Sequence, residues 1–181
     1  MSRIFDALQK AEHEQQSLQP ETPAFQAAEV FTDAPHQGTS LAEGFHFDSV
    51  AVSSWNPSIA QLPALRGFDS GAEEFRRLRS RIYQLQETQD FKSILITSGL
   101  PAEGKSFVSA NLAISLARHQ NRRILLMDAD LRKPVQHKVL GASNKPGLSE
   151  YLAGTASPNE IVQRGNISNL AFIPAGETVE N

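Results

Sequence analysis

Between residues 99 and 106 the chain reads Gly99-Leu100-Pro101-Ala102-Glu103-Gly104-Lys105-Ser106, a G-x-x-x-x-G-K-[ST] pattern, and the residues on either side limit what it can be. Ser93-Ile94-Leu95-Ile96-Thr97 is a short β-rich run, which predicts a strand over 93–98. Phe107 to His119 carries Val108, Leu112, Ile114, Leu116 and Ala117 with no breaker, which predicts a buried helix over 105–119. A strand entering and a helix leaving is the setting in which such a loop binds phosphate. Glycines at 99 and 104 let successive amides turn into one concavity at the helix N-terminus. Lys105 can reach β and γ phosphates, and the Ser106 hydroxyl can ligate Mg²⁺. The competing reading, a glycine turn with no ligand, is weakened by both flanks.

A second group ends the next apolar run: Arg123 to Met127 predicts a strand, followed by Asp128-Ala129-Asp130-Leu131-Arg132-Lys133-Pro134. In parallel α/β sheets the carboxyl ends of strands face the ligand crevice, and the phosphate loop opens at the same edge. Asp128 and Asp130 would therefore arrive beside phosphates, where a bridging cation makes their charge tolerable. A strand-terminal aspartate that merely caps a turn is the alternative. A third group, Glu73, Arg76 and Arg79, is spaced by three on a helix predicted over 72–86, with Arg77 and Arg81 adjacent. Such a ladder can be a solvated face, a subunit surface or a nucleic-acid stripe.

Short helical turns are predicted at Leu148 to Leu152 and at Asn159 to Gln163, the latter with Ser157 as cap and Pro158 at its first position. Leu170 to Ile173 predicts a third strand. Alternating strands and helices give an α/β class with a parallel sheet. The remainder of the chain is different material. Residues 1–70 hold 3 basic and 9 acidic side chains, net −6, against 14 and 11, net +3, in residues 71–181. From about Ser17 onward the segment is a Gln, Pro, Ala, Thr, Ser and Glu mixture without period, which predicts a disordered linker over 17–70. Its aromatics, Phe25, Phe31, Phe45, Phe47 and Trp55, are either docking motifs or incidental. Before it, Ile4, Phe5, Leu8 and Ala11 lie on one stripe of a short helix within residues 1–16. That helix either docks on a partner protein or frays.

The 181 residues contain no cysteine, which excludes disulfides, thiolate nucleophiles and Cys-ligated metals. His13, His36, His46, His119 and His137 lack ligand-like spacing, and no nucleophile-elbow motif occurs. The net charge of −3 gives no general reason to bind nucleic acid, and no run approaches the ~20 apolar residues of a spanning helix. The opening Met1-Ser2-Arg3-Ile4 has no signal-like apolar core, so a cytoplasmic protein is expected.

Thr97 to Ser106, Asn111-Leu112-Ala113, Ile124 to Pro134 and Gly147-Leu148-Ser149-Glu150-Tyr151-Leu152 together resemble the bacterial tyrosine autokinases of capsular and exopolysaccharide assembly, P-loop proteins of the wider MinD/ParA group. The resemblance covers roughly residues 70–181. It implies a partial P-loop NTPase sheet with flanking helices over 71–181, preceded by the helix and the linker. ATP and Mg²⁺ are the implied cofactors, with Gly99, Leu100, Pro101, Ala102, Glu103, Gly104, Lys105, Ser106 and Phe107 binding nucleotide. Ser106, Asp128 and Asp130 are the implied metal residues, and Lys105, Asp128 and Asp130 the catalytic ones, by match to the Walker A and Walker A′ elements. Glu73, Arg76 and Arg79 match the family's E-x-x-R-x-x-R motif, which implies a homo-oligomer. A membrane-bound polysaccharide chain-length or export protein is the implied partner, with recruitment to the inner face of the membrane and no nucleic acid. Placement ATPases of the same fold carry lysine after the first loop glycine; here that residue is Leu100. Two features depart from the kinase pattern. No Asp follows Asp130, where a Walker B strand would supply one, and Tyr83 and Tyr151 are the only tyrosines, so a tyrosine-rich tail is not seen. The expectation is a domain interrupted before Walker B, with a non-catalytic interaction protein or a placement ATPase as alternatives.

Overall fold

The computed structural model describes residues 46–67, 70–119 and 122–178. The expected helix of residues 1–16 and the first part of the expected linker lie outside them. Among the described residues five α-helices follow in chain order: α1 (Ser70–Thr88), α2 (Lys105–Ala117), α3 (Gln136–Leu140), α4 (Leu148–Leu152) and α5 (Pro158–Ile161). The strands are β1 (Ile124–Met127), β2 (Gln163–Arg164) and β3 (Leu170–Ile173), with β3 central in the order β1-β3-β2.

β1 and β3 pair in parallel, Ile124 opposite Leu170 through Met127 opposite Ile173, as the alternation of elements predicts. Asp128 extends this ladder by one bond, its N–H donating to the Ile173 carbonyl at 2.9 Å. β2 runs antiparallel to β3, an addition that the sequence does not signal in a two-residue strand. The run 93–98 departs from expectation. It forms no ladder, and Leu95 is 85% exposed. Ile94-Leu95-Ile96 has strand propensity, but a strand exists only where a neighbour takes its hydrogen bonds. Both edges of β3 are already taken, and among the described residues no strand pairs with the outer edge of β1. Only Ile96 of this run packs inward, against the cluster of Phe75, Ile82, Leu112 and Leu116 that joins α1 to α2.

α2 forms because 13 residues pass without glycine or proline, and its second half is buried on all sides, from Ala110 to Ala117. The main core sets Ala110, Ala113, Ile114 and Ala117 against Leu126, Leu140, Leu170 and Phe172. Small alanines on the inward face let the helix lie close to the sheet.

Residues 46–67, expected as linker, are instead packed into this core, so the linker reading does not hold from residue 46 onward. Trp55 and Leu62 are buried, and the Trp55 ring meets Phe172 edge-on at 6.2 Å between centroids. Backbone bonds secure the segment: Ser53 N–H donates to the Arg164 carbonyl and Ser58 N–H to that of Val139. Asn111 on α2 completes the attachment. Its side-chain oxygen accepts from Ala64 N–H at 3.0 Å, and its amide nitrogen donates to the carbonyls of Gln61 and Phe107. Phe47 is buried, with the guanidinium groups of Arg164 and Arg123 at 4.2 and 5.2 Å from its centroid. Composition misses this segment because its apolar residues follow no period; they are spaced by what they touch.

Candidate functional site

The loop 99–104 turns into α2 through two left-handed residues. Gly104 sits at φ 90° as N-cap of the helix, and Ala102 at φ 64°. Gly104 is suited to that geometry because it has no Cβ. Nothing lies within 4 Å of the place a Cβ would take at Gly99 or Gly104, so the loop's concavity is open. No side chain caps the α2 N-terminus, which leaves its first-turn amides without the usual local acceptor. One loop amide already holds an anion of its own: Leu100 N–H donates to Glu103 Oε2 at 2.9 Å. The Pro101 and Phe107 side chains add no polar group. Phe107 instead lies against Phe75 of α1, 5.8 Å between ring centroids.

β1 delivers the acidic pair to the same end of the sheet. Lys105 Nζ stands 3.5 Å from Asp130 Oδ2, both side chains about one-third exposed. The Asp130 carboxyl is held below its usual value chiefly by the Lys133 amide, which donates to Oδ1 at 3.0 Å. Burial opposes this shift and Lys105 adds to it. Asp128 is placed differently. It is buried, its Oδ1 accepts from Asp130 N–H at 3.2 Å, and its Oδ2 accepts from Val135 N–H at 3.2 Å and Gln136 N–H at 3.1 Å. Three backbone donors on one carboxylate make Asp128 the organiser of loop 128–136, the turn-capping alternative that its position at a strand end allowed. Among the described residues no group of three or more His, Cys, Asp or Glu side chains could hold a metal alone.

Gln136, which sequence reasoning passes over, joins the two halves of the site. Its side-chain nitrogen donates to the Ser106 carbonyl at 3.0 Å and to Ser109 Oγ at 2.6 Å. No local pattern could have marked it, since it lies 30 residues from Ser106 and meets it only through the fold. Neighbouring His137 is pushed below its usual value by burial first and by Lys138 second, against the pull of Asp128.

The third group divides. Glu73 and Arg76 pair at 2.7 Å on the exposed face of α1, and Arg76 also donates to the Gly67 carbonyl. Arg79 turns inward, donating to the Ser115 carbonyl at 2.9 Å. Ser115 Oγ in turn donates to the Phe75 carbonyl, so Arg79 and Ser115 lock α1 to α2. At the far side of the β3 exit, Gly147-Leu148-Ser149-Glu150 is tied to residues 174–177: Leu148 and Ser149 donate to the Pro174 and Ala175 carbonyls, and Glu150 accepts from Gly147 and Glu177 N–H.

No family model matches the chain. It is 37% identical over 110 residues to the tyrosine-protein kinase YwqD of Bacillus subtilis, covering 61% of this chain and 46% of that one. It is 36% identical over 110 residues to the putative tyrosine-protein kinase CapB of Staphylococcus aureus, covering 61% and 48%. The tyrosine-protein kinase etk of Escherichia coli is 36% identical over 114 residues, with 62% of this chain and 15% of that one covered. Among solved structures, the kinase domain of Escherichia coli ETK superposes with a TM-score of 0.63 at 31% identity, over 72% of this chain and 50% of the other. The chimerical protein CapA2B2 superposes with a TM-score of 0.62 at 28% identity, over 73% and 58%. The chain thus spans at most about half the length of these curated relatives.

Proposed function

We propose, starting from a chain that shares sequence and a P-loop fold with the bacterial tyrosine-protein kinases, that residues 99–107 bind the phosphates of ATP and that the module transfers a phosphoryl group to tyrosine. The setting is exopolysaccharide synthesis or export. The observation that carries this reading is the Lys105–Asp130 pair beside the left-handed Gly104. A cation from α2 and a carboxylate from the end of β1 reach one place at an open, amide-lined loop.

The residues present fit a magnesium nucleotide. Ser106, Asp128 and Asp130 offer oxygen donors only, which suits a hard cation, and phosphate oxygens and water would complete its shell. When bound, Mg-ATP supplies the γ-phosphoryl group and neutralises charge as the group moves. The chain's own residues do the rest. The amides of the loop and of the first turn of α2 would take the phosphate oxygens, and Glu103 would release the Leu100 amide to them. Lys105 would exchange Asp130 for the β and γ phosphates. Asp130, freed from Lys105, would support the cation and the loss of the tyrosine proton as the hydroxyl oxygen bonds to the γ phosphorus and the bond to the β-phosphate oxygen breaks. Asp128, with three of its roughly four acceptor positions used, shapes the loop and would have one position left to support a cation.

Glu73 and Arg76 are assigned to contact with a second copy of the chain, and Arg79 to the placement of their helix. A membrane-bound polysaccharide chain-length or export protein is the assigned partner, and no helix among the described residues is long and apolar enough to cross a membrane itself. A second reading, nucleotide binding without transfer, is favoured by one observation: the Asp128 carboxylate is already committed to backbone amides.

The test is transfer. Purified chain given Mg²⁺, terminally labelled ATP and a synthetic Glu-Tyr copolymer should label tyrosine, and Lys105→Ala should lose the label. Absence of tyrosine label with bound ATP would leave the second reading.

A further inference from the structure

The carboxamide of Gln136 is 3% exposed, and its oxygen has no hydrogen-bond partner. Its orientation is fixed by chemistry: the Ser106 carbonyl can only accept, so the nitrogen must face it and the oxygen must face away. The nitrogen spends both hydrogens on the first two turns of α2, on the Ser106 carbonyl and Ser109 Oγ. Ser109 Oγ donates onward to the Ser106 carbonyl at 3.2 Å, closing a small ring of bonds. The Gln136 backbone N–H, meanwhile, is one of the three donors on Asp128. One residue therefore fixes the spacing between the helix turn bearing Ser106 and the loop bearing Asp128 and Asp130.

We propose that Gln136 is a positioning residue for the metal-bound nucleotide: its carboxamide nitrogen holds the turn bearing Ser106, its backbone N–H holds Asp128, and together these set the separation of Ser106 from the aspartate loop. This rests on the nucleotide-binding reading above and deepens it, because it assigns Gln136 to the metal and not to the phosphates.

Outer-shell partners of this kind typically change metal affinity by about 10–100-fold when removed. Calorimetric titration of the full chain with ATP, once with Mg²⁺ and once with EDTA, separates the roles. Wild type should bind more tightly with Mg²⁺. Gln136→Leu, of similar volume, should keep the EDTA affinity within about twofold and lose roughly tenfold or more of the Mg²⁺-dependent gain. Should Gln136→Leu melt below the titration temperature, Ser109→Ala removes one of the two anchors with little loss of packing and should show a smaller loss confined to the Mg²⁺ arm. A folded variant with the full Mg²⁺ gain, or one weakened equally in both arms, overturns the inference while leaving nucleotide binding intact. Wild type that binds no ATP in either arm overturns the nucleotide reading itself and this inference with it.

Discussion

His137 shows how one side chain next to the site ties stability to pH. Its imidazole is pushed below the ordinary value of 6.5, first by burial and then by Lys138, with Asp128 pulling the other way. The folded state therefore resists taking a proton that the unfolded chain accepts. Stability is full above about pH 6.5 and falls as pH drops toward the lower folded value, where the loss levels off. His137→Asn should flatten the melting temperature between pH 7 and 5, measured by circular dichroism; a slope equal to that of wild type would contradict the buried, neutral imidazole. At the same scale, the reactive pattern was partly legible in advance. Lys105 and Asp130 meet because a phosphate-loop lysine and a strand-terminal aspartate are both delivered to one sheet edge, which follows from topology. The amides on Asp128 come from residues two to eight positions on, within the turn-capping reading its strand-end position allows; the bridge made by Gln136 could not be read, since a hydrogen bond across 30 residues leaves no local trace. Arg79 shows the converse: its spacing with Glu73 and Arg76 marks one face, but only packing decides that it points at the Ser115 carbonyl.

Among the elements, the segment 46–67 separates what periodicity reveals from what it hides. α1, α2, β1 and β3 were legible because their apolar residues repeat at 3.6 or run continuously, and each pattern needs only the element itself. Trp55 and Leu62 follow no such repeat; Trp55 is buried because Gly165 leaves room for the indole, where a Cβ would overlap the ring. The run 93–98 fails in the opposite sense, since its β propensity is local and its hydrogen-bond partner is not. If 46–67 is part of the folded body, Trp55→Ala should cost about 3–5 kcal/mol in denaturant unfolding. Gly165→Ala should cost roughly 1–3 kcal/mol, as overpacking usually does. Changes within about 0.5 kcal/mol for both, the usual result at a surface position, would show that the segment is not held against the sheet.

Across the described residues taken together, a small three-stranded sheet and two long helices place an open glycine loop, a lysine and an aspartate at one edge. The helices matter beyond packing: α2 contributes its N-terminus to the loop, and α1 is locked to it through Arg79 and Ser115. Similarity to the kinase domains gives this arrangement a chemical meaning, because a fold alone does not. Phosphoryl transfer asks chiefly for held phosphates and placed charge, so binding comes before any question of catalysis. Calorimetric titration of the chain with Mg-ATP, beside Lys105→Ala, is therefore the most direct measurement. Saturable one-to-one binding by wild type, weakened at least tenfold or so in the variant by loss of a charge-assisted phosphate contact, is the expected result. Equal binding by the two proteins, or no heat from either, would show that the loop at 99–106 is not a nucleotide site.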